Sequence, residues 1–347
     1  MAVALAVMVT AGCGSSSPAG SPPASTTTSG TGTGGSDGTG GSAGTGAPAG
    51  GGTAAVRVDA SVAGWHLPAA VSRAVVCPQG TSLLVLGGLA TGDTSTSAVW
   101  TVDPTTGSAQ RSGRLTQAVH DAAGSCTGTG ALVFGGGAAS TVAAVQEWSP
   151  AGARVVAQLP QARSDLAAAA LGGRIYVVGG FDGTDMTAAV LSTPDGTRFS
   201  VVGALPVPVR YPAVAAAAGG IWVIGGQLGT AESSSVGGQT DAIQRFDPAT
   251  GRTVVVGHLP EALGHASALV LSGRLFVVGG RVGTTPSDRI WAVDTRTGAV
   301  RAAGVLPGPE SDAGAAVIGS TGWLVGGEVG GPTAPLDTVV ELRLAGS

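Results

Sequence analysis

Six apolar runs in this chain end in the same pair of glycines: LLVLGG at Gly87-Gly88, ALVFGG at Gly135-Gly136, IYVVGG at Gly179-Gly180, IWVIGG at Gly225-Gly226, LFVVGG at Gly279-Gly280 and GWLVGG at Gly326-Gly327. A short continuous apolar run bounded by glycine predicts a strand buried on both faces. A second landmark, Leu-Pro or in one case Leu-Thr, falls at Leu67, Leu115, Leu159, Leu205, Leu259 and Leu306, always 20 residues before the first glycine of the pair. From each pair to the next leucine the gap varies, at 28, 24, 26, 34 and 27 residues. A constant half and a variable half predict a fixed strand hairpin followed by a loop of free length.

The third repeat shows the hairpin plainly. Residues 165–171 form a small-residue strand, Gly172-Gly173 a turn, and 174–178 a second strand. Gly219-Gly220 and Ser272-Gly273 hold the same turn in later repeats. Alanine-rich first strands suit a crowded central axis. A third and a fourth strand are then joined by turns at 103–107, 194–196, 247–251 and 294–298, each carrying Asp and Gly. Four antiparallel strands repeated every 44 to 54 residues make a propeller blade. The last repeat stops after its third strand at 338–344. Residues 57–66 lie where a fourth strand belongs, with His66 in register with His258. The expectation is an all-β, six-bladed propeller whose N-terminal strand completes the last blade and closes the ring. The uncharged stretch 211–226 is too short to span a bilayer and is two strands split by Gly219-Gly220.

Leu-Pro, a small-residue strand, an aromatic before the glycine pair (Tyr176, Trp222, Phe276), Asp182-Gly183 after it and Phe246-Asp247-Pro248 resemble kelch repeats over about residues 56–344. The fourth strands carry Val201-Val202 or Val254-Val255-Val256 instead of the tryptophan usual in animal kelch repeats, which is nearer the bacterial, galactose-oxidase-like branch. Copper radical oxidases of that branch need a Cys-linked Tyr, a second Tyr and two His. The tyrosines here are Tyr176, on an interior strand, and Tyr211, so that activity is not expected. Six-bladed kelch sialic-acid epimerases of the bacterial periplasm match in blade count and export. That resemblance implies acid-base groups beside anion-binding arginines, for which Arg73, Arg210, His120, His265 and Glu328 are the available residues.

Composition narrows the picture. Charged residues are 11% of the 347 and the net charge is −4, with no basic patch to neutralise a run of phosphates, so nucleic acid is excluded as a partner. All 17 basic residues are Arg, as a GC-rich genome would produce. Residues 14–55 are Gly, Ser, Thr, Ala and Pro apart from Asp37, the composition of a disordered linker. Residues 1–13 are an apolar run ending in small residues and Cys13, which reads as an export signal with a lipobox-like cysteine, although Thr10 departs from the usual Leu, Val or Ile and no basic residue precedes the run. The chain is therefore expected outside the cytoplasm, as a lipoprotein touching the membrane through a lipid on Cys13, or as a secreted protein. Domains are then 1–13 leader, 14–55 linker and 56–347 propeller. Cys77 and Cys126 stand ten and eleven residues after their leucines, on adjacent inner strands, either as a disulfide or as two packed thiols.

Candidate chemistry collects on one face, where fourth-to-first and second-to-third connections lie. Five and six residues after each leucine come Ser72-Arg73, His120-Asp121, Ser164-Asp165, Arg210-Tyr211, Gly264-His265 and Ser311-Asp312, where the first strands enter the central channel. They suggest a mixed-charge pocket for a small polar ligand or a peptide end, with Arg73 and Arg210 on an anionic group and Arg163, Arg281 and Glu328 as a rim. The competing reading is that they brace neighbouring blades. A metal site would have to draw Asp121, Asp165, Asp312, His120 and His265 from different blades, so no metal and no cofactor are expected. The long loop 227–241 is either a lid or a surface insertion. The function expected is a monomeric, non-catalytic, envelope-tethered binding propeller for a protein, a peptide or a small polar or sugar ligand. The alternative is a carbohydrate-active enzyme such as a sialic-acid epimerase (mutarotase).

Overall fold

The computed structural model describes residues 56–229, 238–331 and 334–346. Cys13, the leader, the linker and residues 230–237 of the long loop lie outside the described residues. The remainder is all-β, built from six four-stranded antiparallel sheets. Five of them are meanders in chain order, as in Val75–Gln79, Ser82–Leu86, Ala98–Val102 and Ala109–Arg114. The sixth takes Gly314–Ile318, Thr321–Val325 and Val339–Leu344 from the end of the chain and Val58–Val62 from its start, paired from Val58 opposite Leu344 to Val62 opposite Val340. That strand ends four residues short of His66. His66 nevertheless meets Asp337 at 3.0 Å, as His258 meets Asp241 at 3.0 Å, so the two histidines are equivalent.

The second glycine of every pair donates its N–H to a carbonyl of the following repeat: Gly88 to Val119, Gly136 to Arg163, Gly180 to Val209, Gly226 to Leu263, Gly280 to Glu310, and Gly327 back to Val71. These six bonds form a closed circle through the whole repeat array. Two physical reasons make both positions glycine. The first has φ near +60° and the second near +100°, where a Cβ is strained. A Cβ on Gly87 would also stand 2.7 Å from the Val119 oxygen, and one on Gly88 2.7 Å from the Ser72 oxygen, with the same collisions in the other pairs.

Apolar side chains fill the space between neighbouring sheets in six separate clusters. One joins Val75, Leu84 and Val99 to Ala131, Val133 and Trp148; another joins Leu67, Leu83 and Val85 to Trp323, Val325 and Val339, across the first and last repeats. Burying a side chain of this size is worth about 1.5–3 kcal/mol, which is why a four-stranded sheet that could not fold alone is stable once stacked. At the outer edge, valines such as Val201 and Val305 are exposed, and five of the six third-to-fourth pairings carry a register shift that bends the edge away from regular pairing. Gln146 and Gln244, buried on third strands, clamp the backbone N–H and C=O of Gln117 and Val207, two residues past the repeat leucines. Cys77 and Cys126 are joined by a disulfide between the first strands of the first two sheets, a constraint typically worth about 2–4 kcal/mol.

Candidate functional site

The residue six positions after each repeat leucine has a left-handed backbone: Arg73, Asp121, Asp165, Tyr211, His265 and Asp312, with φ between 51° and 60°. Asp and His tolerate this region better than most side chains, while Arg73 and Tyr211 hold it at a cost of about 1 kcal/mol or more each. A second closed circle of backbone bonds offsets that cost: Arg73 N–H donates to Asp312, Asp312 to His265, His265 to Tyr211, Tyr211 to Asp165, Asp165 to Asp121 and Asp121 to Arg73, at 2.8 to 3.3 Å. The circle brings all six side chains to the axis. With the next residue of each repeat, Ala74, Ala122, Leu166, Pro212, Ala266 and Ala313, they line a cavity of about 120 Å³.

The six are bound to one another. Arg73 Nη1 donates to Asp121 Oδ2 at 3.1 Å and to Tyr211 Oη at 3.3 Å, and its Nε to Glu328 Oε1 at 2.7 Å. Tyr211 Oη donates to Asp121 Oδ2 at 3.1 Å, and its ring stacks on His265 at 3.9 Å between centroids. His265 Nδ1 meets Asp312 Oδ1 at 2.7 Å. Arg281 joins the hub through Ser311 Oγ, Asp312 Oδ2 and Glu328 Oε2, at 2.7 to 2.9 Å. His120 is half-buried at the edge, with Nδ1 2.8 Å from Ser95 Oγ and Nε2 3.6 Å from Asp121.

Three sequence expectations change. Glu328 is not a rim residue but the fully buried carboxylate that ties Arg73 to Arg281. Arg163 is not at the site: it lies buried off the axis, with Nη1 donating to the Ala189 and Gly179 carbonyls. Arg73 is occupied by its own carboxylates instead of presenting itself to an incoming anion. Both bracing and a polar channel lining are therefore present in the same six residues. No group of three or more His, Cys, Asp or Glu among the described residues is disposed to hold a metal ion.

Arg210 differs from the other two hub arginines. It is 4% exposed, its guanidinium lies 5.5 Å from the Phe181 ring and 5.4 Å from that of Tyr211, and its one polar contact is a long 3.4 Å approach of Nη1 to Asp165. Its Nε and Nη2 are buried with no partner, and so is Oε1 of Gln227, whose backbone bridges that of Arg210. Burying such donors unpaired costs several kcal/mol.

Electrostatics follow burial. Burial and the charge of Asp121 push the Asp165 carboxyl up to about 7, with Arg210 working the other way. Burial alone pushes Glu310 up to about 7. Burial also works against ionised Asp312, but His265, Arg73 and Arg281 outweigh it and hold its carboxyl below the usual range. The same balance holds Arg73 above its ordinary value: burial opposes the charge, and Asp121, Asp312 and Glu328 together overcome it. Folded Asp165 and Glu310 keep protons that the unfolded chain has released, so stability is greatest below about pH 4 as far as these two groups are concerned, declines as pH rises, and levels off above about pH 7. Urea unfolding between about pH 5 and about pH 7.5 should show a falling midpoint, and Glu310→Gln should flatten the decline. An unchanged slope in that variant would remove Glu310 as a cause.

Sequence reasoning missed Ser95, Phe181 and Glu310, and singled out Gln227 only as the start of the long loop. For Glu310 a signal existed. Four residues after the leucine, four repeats place Val71, Val119, Val209 and Leu263, so the charged residues at Arg163 and Glu310 stand out.

Comparison with known proteins fits this geometry. The family model described as "Kelch motif" matches residues 162–193 and 262–302. A solved structure titled "Structure of YjhT" is similar with a TM-score of 0.66 at 14% identity, covering 79% of this chain and 95% of that one. No curated protein sequence matches the chain.

Proposed function

We propose that this chain, whose kelch-motif matches and structural likeness support a kelch-repeat β-propeller and whose axis gathers one polar residue from every repeat, is a non-catalytic binding module outside the cytoplasm, taking a small polar ligand or peptide end that carries a carboxylate. The observation that carries this reading is Arg210, which stands behind the cavity lining against Asp165 and Tyr211, nine-tenths buried between two rings with two unpartnered donor nitrogens that a ligand reaches by displacing Asp165. Adjacent Nε and Nη2 of a guanidinium match the two oxygens of a carboxylate in bidentate geometry. Asp165, which is neutral for part of the time near pH 7, yields Arg210 to a competing anion more readily than a full carboxylate would. The leader, lipidated Cys13 and the 42-residue linker 14–55 would tether the module, with a root-mean-square reach of about 35 Å from the membrane.

One observation favours a second reading. A buried carboxyl poised near neutrality beside an arginine, as Asp165 is beside Arg210, suits general acid-base chemistry on a sugar, as in a sialic-acid epimerase. Calorimetric titration with N-acetylneuraminate and with a short peptide bearing a free C-terminus separates the two. Binding of either should weaken about tenfold or more in Arg210→Gln, the worth of charged hydrogen bonds, and stay unchanged in the exposed Arg289→Gln control. Equal affinity in wild type and Arg210→Gln sinks the assignment of Arg210. Anomer exchange of N-acetylneuraminate accelerated by the protein in NMR, and abolished by Asp165→Asn, replaces the binding reading with the enzymatic one.

A further inference from the structure

A cluster of uncommitted positive charge lies away from the hub. A groove of about 510 Å³ runs between the turn of the fifth sheet's third and fourth strands, the start of its second strand and Val56, the first described residue. Its floor is apolar, from Leu275, Phe276 and Val293, all buried. Its walls carry Arg274, Arg296 and Arg301 against a single acidic residue, Asp294. Arg296 reaches Asp294 only at 4.0 Å and is 84% exposed. Arg274 and Arg301 make no side-chain hydrogen bond or ion pair among the described residues. In a chain with 17 arginines, no lysine and a net charge of −4, three arginines around one groove with one carboxylate between them is a local reversal of sign.

We propose that this groove docks onto the anionic phospholipid headgroups of the membrane to which the chain is tethered. Charge complementarity selects the occupant, because clustered arginines recognise phosphate and each basic side chain near an anionic bilayer adds a small increment of attraction. The position of the groove selects it too: the 42-residue linker 14–55 joins the propeller at Val56, itself a lining residue, so the groove is where the tether enters. Three arginines alone bind weakly. Tethering raises the effective concentration of the surface enough for weak contacts to set an orientation. Trp65, which packs over the third-to-fourth strand turn of the first sheet at Gly107, has no counterpart among the lining residues here, where Val56 takes part instead.

The proposal rests on the tethered reading, and its test does not need the acyl chain. The full chain with Cys13→Ala is sedimented with vesicles of phosphatidylcholine and with vesicles of equal parts phosphatidylcholine and phosphatidylglycerol, at low and high salt. The expected result is extra binding to the phosphatidylglycerol vesicles that disappears at high salt and falls about fivefold for each arginine removed in Arg274→Gln and Arg301→Gln. Equal binding to both vesicle types overturns the proposal, as does an extra component that survives Arg274→Gln with Arg301→Gln in a variant whose thermal midpoint is unchanged. Inorganic phosphate displacing the chain at far lower ionic strength than chloride would make the groove a free-anion site and also overturn it. Failure of the tethered reading shows separately, as absence of an acyl group on Cys13 in the mass of the wild-type protein.

Discussion

Gly326→Ala is expected to cost about 4 kcal/mol or more and to leave little soluble protein at 37 °C. Alanine in the left-handed region loses about 1–2 kcal/mol, and Gly326 has φ +65°. The larger part is steric. A Cβ there would overlap the backbone oxygen of Val71, the acceptor for Gly327 N–H, so neither backbone segment can move aside without breaking the bond that joins the last repeat to the first. Strain of this kind belongs with the large mutational losses. Gly273→Ala provides the comparison, since its φ is +77° but nothing lies within 4 Å of its Cβ position. It should cost only the backbone share of about 1–2 kcal/mol. Urea unfolding of both variants measures the difference, and equal midpoints would show that the contact with Val71 is not what demands glycine.

Arg73→Ala is expected to lose about 3–5 kcal/mol, the cost of breaking a buried ion pair from one side. Arg73 is the donor shared by Asp121, Tyr211 and Glu328, and Glu328 is fully buried, so removing Arg73 leaves Glu328 with Arg281 alone and Asp121 with the Tyr211 hydroxyl and a 3.6 Å approach of His120. The loss should be smaller at about pH 5 than at about pH 8. Without the guanidinium the abandoned carboxylates rise in pKa and take up protons at the lower pH, which relieves part of the uncompensated charge. Adding Glu328→Gln to Arg73→Ala should recover part of the stability, and a double-mutant cycle in urea gives the coupling. A loss below about 1 kcal/mol, or one with no dependence on pH, would mean that the hub is solvated in a way its burial contradicts.

Much of the architecture was legible in the chain because it rests on local rules. The apolar runs before each glycine pair became the second strands, as in Arg174–Phe181 and Gly220–Ile224, since four or five apolar residues ending in Gly-Gly admit few other outcomes. The constant spacing from leucine to glycine also aligned the six hub positions, because one register lands at one place in every repeat. What that alignment left open was which way each side chain is committed. Arg73, Arg163, Arg210 and Arg281 are indistinguishable as letters. Arg163 turned out to serve backbone carbonyls off the axis through Nη1 while its Nε is unpartnered, Arg73 and Arg281 are held by Glu328, and Arg210 keeps both Nε and Nη2 unpartnered.

The sequence by itself determined the strands, the turns between them, the repeat register and the pairing of the first strand with the last, as in Val58 opposite Leu344. The strands, turns and register follow from periodicity and from glycine's freedom at fixed spacings within some fifty residues, and the pairing of the two ends follows from the repeat count, which leaves the last repeat one strand short and the start of the chain one strand over. Only the tertiary structure decided which charges meet and which are left over. Arg73 and Glu328 are 255 residues apart and touch because two closed circles of backbone bonds bring every repeat to one axis. The worth of a charge is set by its burial and its partners, and neither is a property of a residue type or of its spacing along the chain.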